Sequence, residues 1–297
     1  YKKPESLIYT ILSLKEKCGD FIDTIYVDDD CSDDGTTDFY QESRFLEMIA
    51  PMKLKVRVNT QRIGYTKKVF TSKSASIQKR LFYSLFRRNS MFYVEDDNDV
   101  RYQWGINSTD KKYLFIIHDD IKFTGNIVKL YLESMEKDNK CAIVGDLGQC
   151  WRCNDSDKCN PDFITQGKRP HKYWPLTTPD AHNFPDFYER ACRINEWCCM
   201  VDVDIAKKVL AEERCYFGVY EDRGDIGAYW FAKIVLLGYK FEDPLPYMDD
   251  RKKYYIHCWQ GHSGHSVWVN QGTGTADYKR EMIRSCLYEE FGYKLGY

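Results

Sequence analysis

Apolar positions along this chain follow two rhythms, and the rhythms alternate. Behind Pro4, a residue suited to a first helical turn, apolar residues in Glu5–Leu14 recur at helical spacing and predict a helix over 5–17. Ile22-Asp23-Thr24-Ile25-Tyr26-Val27 is a short β-branched run that reads as a buried strand. It stops in the acidic loop Asp28-Asp29-Asp30-Cys31-Ser32-Asp33-Asp34-Gly35-Thr36, and a helix is expected from about 37 to 49. Lys53–Val58 alternates strictly and predicts a second strand. Lys112-Tyr113-Leu114-Phe115-Ile116-Ile117 is the strongest strand signal, and it ends abruptly at His118-Asp119-Asp120. A helix over 126–137 and a strand over 141–144 continue the alternation, which predicts an α/β fold: a mostly parallel sheet flanked by helices.

Two stretches break the rhythm. Residues 66–100 turn from basic to acidic (Glu95-Asp96-Asp97-Asn98-Asp99) and read as an insertion with some helix. From Asp146 to about Asn195 the pattern dissolves into Cys, Pro, Asn and aromatic residues, and a loop of that length is usually functional or tied down. Order returns with Trp197–Val203, a helix over 205–213, an amphipathic helix over about 226–237 ended by Gly238, and a last helix near 278–290. Without internal repeats or a low-complexity linker, the reading is one domain with an elaborated C-terminal half.

Composition changes this picture little. Hydrophobic residues at 43% and charged residues at 30% of 297 allow a sizeable core. The net charge of −2 provides no basic field for nucleic acid. No window approaches ~18 consecutive apolar residues, so no membrane span is expected. The opening Tyr1–Glu5 lacks the apolar core of a signal peptide. The expected location is cytoplasmic, with peripheral membrane attachment through an anchor outside this chain left open. Twelve cysteines raise the question of disulfides, but Cys192, Cys198, Cys199 and Cys215 sit in apolar runs, where reduced thiols are the default.

Four constellations carry candidate chemistry. Carboxylates of the Asp28–Asp34 loop stand at the C-terminal end of a strand, where α/β sheets bind ligands and where an acid can accept from a base imide or a ribose hydroxyl. Capping of the next helix is the plain alternative, and the spacing lacks the terminal Glu of a twelve-residue calcium loop. His118-Asp119-Asp120 follows a buried strand, the kind of rigid edge a diphosphate-bridging cation needs, or else an ordinary strand-ending turn. Glu221-Asp222, just before an amphipathic helix, offers a general base or simple dipole compensation. Residues 256–265 hold His257, His262 and His265, half of the six histidines, beside small residues that suit a ligand-bearing loop.

In this order the motifs resemble glycosyltransferase family 2 enzymes of the GT-A fold. Asp29-Asp30-Cys31-Ser32-Asp33-Asp34-Gly35-Thr36 is similar to the family's D-D-x-S-x-D-G-T strand end, and Asn59 to Gly64 to its N-x-x-x-x-G element. Trp104-Gly105-Ile106 precedes an HDD variant of the D-x-D motif at His118–Asp120. Glu221-Asp222 with Gly238-Tyr239 is similar to the family's E-D element and helix end, and His257, Gly261 and Ser263 to its H-x-x-x-G-x-S loop. The resemblance spans roughly residues 4–265. It implies a Rossmann-like sheet, a nucleotide-sugar donor half at 1–145 and an acceptor-side, catalytic half at 146–297.

By position, the resemblance assigns Asp29, Asp30, Ser32, Gly64 and Asp119 to the nucleotide, and Asp120, His118 and His257 to a Mn2+ or Mg2+ ion. Asp222, with Glu221 beside it, becomes the base. The donor would be UDP-, GDP- or dTDP-linked and the acceptor a glycan or other hydroxyl. Three departures stand out: His118 replaces the first acid, the 66–100 connection is long, and the family's first strand falls upstream of Tyr1. Outside the family core, Cys150-x-x-Cys153 with Cys159 begins like a zinc site, with Cys141, Cys192 or His171 as fourth ligand; a disulfide or free thiols are the alternatives. An inverting, metal-dependent transferase is the leading expectation. A retaining transferase or a non-catalytic carbohydrate- or metal-binding module are the alternatives, and the acidic first loop argues against a nucleotidyltransferase.

Overall fold

The computed structural model describes residues 2–32, 35–60, 69–71, 77–86, 92–94, 96–148, 176–177, 189–190, 193–219, 226–245, 248–258 and 280–295. In chain order these form α1 (Pro4–Cys18), β1 (Thr24–Asp29), α2 (Ser43–Ile49), β2 (Lys53–Val58), β3 (Val69–Thr71), α3 (Ile77–Phe86), β4 (Phe92–Val94), α4 (Gln103–Ser108), β5 (Tyr113–Ile117) and β6 (Ile121–Phe123). There follow α5 (Ile127–Glu136), β7 (Cys141–Gly148), β8 (Leu176–Thr177), β9 (Glu189–Arg190), β10 (Arg193–Asp202), α6 (Val203–Glu213), α7 (Ala228–Leu236), β11 (Lys240–Glu242), α8 (Met248–Arg251), β12 (Tyr255–His257) and α9 (Arg280–Phe291). The protein is mixed α/β. No helix among the described residues is long and apolar enough to cross a membrane.

Two compact units divide the chain, each assembled from separate segments. The first comprises Tyr1–Arg62, His118–Lys129 and Tyr247–Tyr297, the second Ile63–Ile117 and Leu130–Pro246.

The second unit is built on a four-stranded sheet in the order β11-β7-β10-β5. β7 and β11 run parallel, whereas β10 is antiparallel to both of its neighbours. β10 is paired along both edges and nearly all of its residues are buried, which fits its long apolar run Trp197–Val201. Ile143, Cys199, Val201, Trp230, Phe231 and Ile234 meet in the core under this sheet. Gly145 lies opposite Cys199, and a Cβ there would come within 2.8 Å of the Cys199 Cβ, so only glycine admits this approach. At the end of α7, Gly238 takes φ +80° while Tyr239 N–H donates to Ile234 C=O and Gly238 N–H to Val235 C=O. That pair of bonds is a Schellman stop, in agreement with the helix end expected there.

In the first unit β1 and β2 pair in parallel, with Asp28 opposite Arg57 and Asp29 opposite Val58. The strand therefore carries two residues beyond Val27, where the apolar pattern stops. Backbone pairing extends it: Asn59 N–H donates to Asp29 C=O at 2.9 Å, closing the ladder past the apolar run. Ile8, Ile11 and Leu12 of α1 join Val27, Phe39, Phe45 and Ile283 and Leu287 of α9 in one core. The single helix expected at 37–49 is split, with a 3₁₀ turn at Asp38–Gln41 ahead of α2. The turn seats Phe39 and Tyr40 in the core.

Candidate metal centre

Everything at this site belongs to the first unit, and it begins with a polar stripe on α1. Ser6, Thr10 and Ser13 recur at i, i+4 and i+7, so they share one face, and all three are buried. Thr10 Oγ1 accepts from Ile121 N–H at 3.1 Å and Ser13 Oγ from Phe123 N–H at 3.1 Å, while Ser6 Oγ donates to Asp119 C=O. The partners on the strand are every second residue. Two strand residues advance about 6.6 Å, close to the 4.5–6 Å that three or four helical residues cover, so a helix face keeps step with a strand edge. Its hydroxyls take the place of a neighbouring strand. β12 closes the opposite edge of β6 in antiparallel register, with His257 opposite Ile121.

Held on both sides, Asp119 and Asp120 stand on a fixed ledge. Cys258 N–H donates to Asp120 C=O at 2.7 Å, and His257 Nε2 lies 3.0 Å from Asp120 Oδ1. The rings of His118 and His257 meet edge to face at 5.8 Å. One ligand atom from each of His118, Asp120 and His257 lies within 4.8 Å of the others. Two ligands at right angles, each about 2.1 Å from an ion, stand about 3.0 Å apart. The Asp120–His257 pair already has that spacing, and a His118 ring nitrogen lies within 4.8 Å of both. The donor set of two imidazoles and a carboxylate fits a divalent cation with positions left over.

Charge on the ledge is stabilised locally. Asp120 is 3% exposed, and burial works against its ionisation. The His257 contact more than offsets this and holds the carboxyl below the ordinary carboxylate range. For Asp119 burial again opposes charge, but the Lys3 ammonium, 2.8 Å away, holds its carboxyl well below that range.

The second acidic edge, at the end of β1, is wired differently. Asp29 is 4% exposed, accepting from Ser32 N–H at 2.7 Å on Oδ1 and facing Tyr40 OH at 3.4 Å on Oδ2. This carboxylate thus braces the loop in which Cys31 takes φ +62°. Asp28 accepts from Asn59 Nδ2 at 3.0 Å and lies 3.7 Å from Arg57. Burial still pushes its carboxyl up to about 6, with Arg57 and Asn59 offsetting only part of that. Asp30 and Ser32 are half-buried beside them.

Two consecutive residues join the edges. Lys2 N–H donates to Ser32 Oγ at 2.9 Å, and Lys3 Nζ donates to Asp119 Oδ1. Burial and the nearby carboxylates of both Asp29 and Asp119 push the Tyr40 hydroxyl far above its usual range. The structure thus brings Asp29, Asp30, Ser32, His118, Asp119, Asp120 and His257 into one neighbourhood. Gly64, Glu221, Asp222, Cys150, Cys153 and Cys159 lie outside the described residues, as do Asp33, Asp34, His262 and His265.

The sequence matches no protein-family model and no curated protein. Among solved structures, a mannosyltransferase from Pyrobaculum calidifontis in complex with GDP-Man and Mn2+ aligns at TM-score 0.46 and 12% identity, over 82% of this chain and 52% of that one. The chain therefore spans about half the length of that mannosyltransferase. Mouse xyloside xylosyltransferase 1 in its apo form aligns at TM-score 0.37 and 12% identity, covering 81% of this chain and 79% of the other. Core-mannan synthase A from Aspergillus fumigatus, in an Mn/GDP form, aligns at 0.42 and 11%, covering 86% and 72%.

Sequence reasoning missed Lys3 and the hydroxyl stripe. A signal for the stripe was present: three hydroxyl residues at helical spacing among apolar neighbours mark a buried polar face that must be hydrogen-bonded. For Lys3 no local pattern exists, since its partner is 116 residues away in sequence.

Of the described thiols, Cys18, Cys31, Cys141, Cys199, Cys258 and Cys286 are free. Burial, with Glu242 nearby, pushes the Cys141 thiol up to about 12, the behaviour of a small hydrophobe.

Proposed function

We propose that this chain is a divalent-cation-dependent glycosyltransferase of the GT-A type, moving a sugar from a nucleotide-diphosphate sugar to a hydroxyl acceptor. One observation carries the reading: His118, Asp120 and His257 converge on a fixed ledge joined through Lys2 and Lys3 to the acidic end of β1. A transferase of this kind needs carboxylates for a nucleoside beside ligands for a diphosphate-bridging ion.

In this reading the nucleoside lies against Asp29, Asp30, Ser32 and Gly64, and Asp29 also keeps the β1 loop in shape. His118, Asp120 and His257 hold the ion, and Asp119 completes the polar wall. The ion, manganese or magnesium, supplies positive charge against the departing nucleoside diphosphate. Asp222, with Glu221 beside it, takes the proton from the acceptor hydroxyl. The freed oxygen bonds to the anomeric carbon from the face opposite the nucleotide as the carbon–oxygen bond to the diphosphate breaks, which inverts the anomer. Residues up to 145, together with His257, serve the donor, and the other later ones the acceptor. Cys150, Cys153 and Cys159 are proposed to hold a structural zinc, checked by elemental analysis.

The test is mass-spectrometric detection of transfer or donor hydrolysis with UDP-, GDP- and dTDP-linked sugars, with manganese and then with chelator. Turnover with one donor, lost on chelation, is expected. Inertness toward all of them would favour a non-catalytic binding module. Asp222→Asn should abolish transfer while sparing donor binding, and the product's anomeric configuration separates inversion from retention.

A further inference from the structure

Resting on that reading of the ledge as an ion site, we infer that it selects later first-row transition ions and discriminates against Mg2+. Selectivity lies in what the ledge offers and what it withholds. It offers two imidazole nitrogens and one carboxylate, from His118, His257 and Asp120. Imidazole favours manganese, cobalt and zinc increasingly along the series, whereas magnesium prefers an all-oxygen shell and gives up its waters reluctantly.

What the ledge withholds is its second carboxylate. Asp119 adjoins Asp120 in sequence and would supply the hard oxygen that magnesium wants. Its Oδ1 is instead held at 2.8 Å by Lys3 Nζ, an ammonium only 13% exposed. Ser6 fixes the same residue through its carbonyl. A cation approaching Asp119 would meet that ammonium. Asp120 is therefore the one carboxylate among the three ligand candidates, a donor set poor in the hard oxygens magnesium prefers and suited to ions that gain from nitrogen donors.

The experiment is calorimetric titration of the full chain with Mg2+, Mn2+ and Co2+, each alone and with inorganic pyrophosphate to fill the remaining positions. No nucleotide sugar is present, so the result stands apart from whether transfer occurs. Affinity is expected to rise from Mg2+ through Mn2+ to Co2+, by about tenfold or more from first to last. Pulsed electron paramagnetic resonance of the Mn2+ complex should show coupling to two imidazole nitrogens. His118→Asp should leave one nitrogen coupled and narrow the Co2+/Mg2+ ratio, and Lys3→Gln should raise Mg2+ affinity by freeing Asp119. Equal affinity for Mg2+ and Co2+ in the unmodified chain, fewer than two coupled nitrogens, or no binding even with pyrophosphate would each overturn the inference. If His118→Asp fails to fold, the ranking and spectrum of the unmodified protein decide it.

Discussion

Two acidic strand ends in the first unit, three residues long each, meet opposite electrostatic fates. At 118–120 an ammonium and an imidazole hold both carboxylates below the ordinary range, Asp120 despite deep burial. At 28–30 the only nearby cation described for Asp28 is Arg57 at 3.7 Å, and burial wins, lifting that carboxyl to about 6. Burial alone does not set the state of an acid: Asp120 is far less exposed than Asp28, at 3% against a side-chain value of 23%, yet Asp120 stays the more readily ionised. A basic partner within hydrogen-bonding reach decides, since the neutral amide of Asn59 at 3.0 Å still leaves Asp28 raised. The β6 ledge is therefore charged in advance, ready for a cation, while the β1 edge retains a partly unmet demand for a donor.

Removing the charged ledge's own acid should have the greatest consequence. Asp120→Ala deletes the only carboxylate among the three ligand candidates and leaves His257 without its partner at 3.0 Å. Cation-dependent turnover should fall by about a hundredfold or more, the scale on which transition-state charge stabilisation is lost. Steady-state kinetics and Mn2+ titration check it together. Turnover within a few fold of the parent would move the ion site elsewhere.

How much of this was legible beforehand differs between the two ends. The Asp28–Asp34 run and the His118–Asp120 step each announce themselves, because a charged cluster that closes an apolar strand is costly unless used. His257 was legible through its place among clustered histidines. The supporting pieces were not. β6 and β12 have three residues each, too short for a period-2 pattern to register, and Ile121-Lys122-Phe123 shows only one alternation. Lys3 reads as a solvated residue ahead of a helix. Its role arises from folding, which brings it to an acid 116 positions later. The split of the expected 37–49 helix was equally hidden, since Phe39 and Tyr40 fit helical spacing and a packed 3₁₀ turn equally well.

The ledge can also be loosened without touching its charges. Thr10→Val keeps shape but removes the oxygen that accepts from Ile121 N–H. That amide is buried, so leaving it unmet costs about 1–3 kcal/mol. Urea denaturation should show a loss in that range, and the same substitution at an exposed helix position should cost well under 1 kcal/mol. If Thr10→Val is neutral, the hydroxyl stripe is incidental and the ledge is held by β12 alone.

The smallest expected effect tests the uncharged end through its pH dependence. Asp28 has a folded value near 6 against an ordinary 3.8, so its native form binds protons more tightly than the unfolded chain does. Linkage then gives the sign: the favourable contribution of protonated Asp28 is fully present below about pH 4 and is lost as pH rises through 6. Asp28→Asn keeps an oxygen to accept from Asn59 Nδ2 but never ionises. Its stability relative to the parent should therefore climb between pH 4 and 6 and level off above. With partial exposure and Arg57 nearby screening the charge, the rise is on the order of 1–2 kcal/mol. Groups elsewhere titrate identically in both proteins and cancel in the difference. Denaturation curves collected from pH 4.5 to 7.5 suffice, because most of the transition falls in that window. Parallel stability profiles for the two proteins would mean that Arg57 and Asn59 already satisfy Asp28, and the contrast between the two acidic ends would vanish.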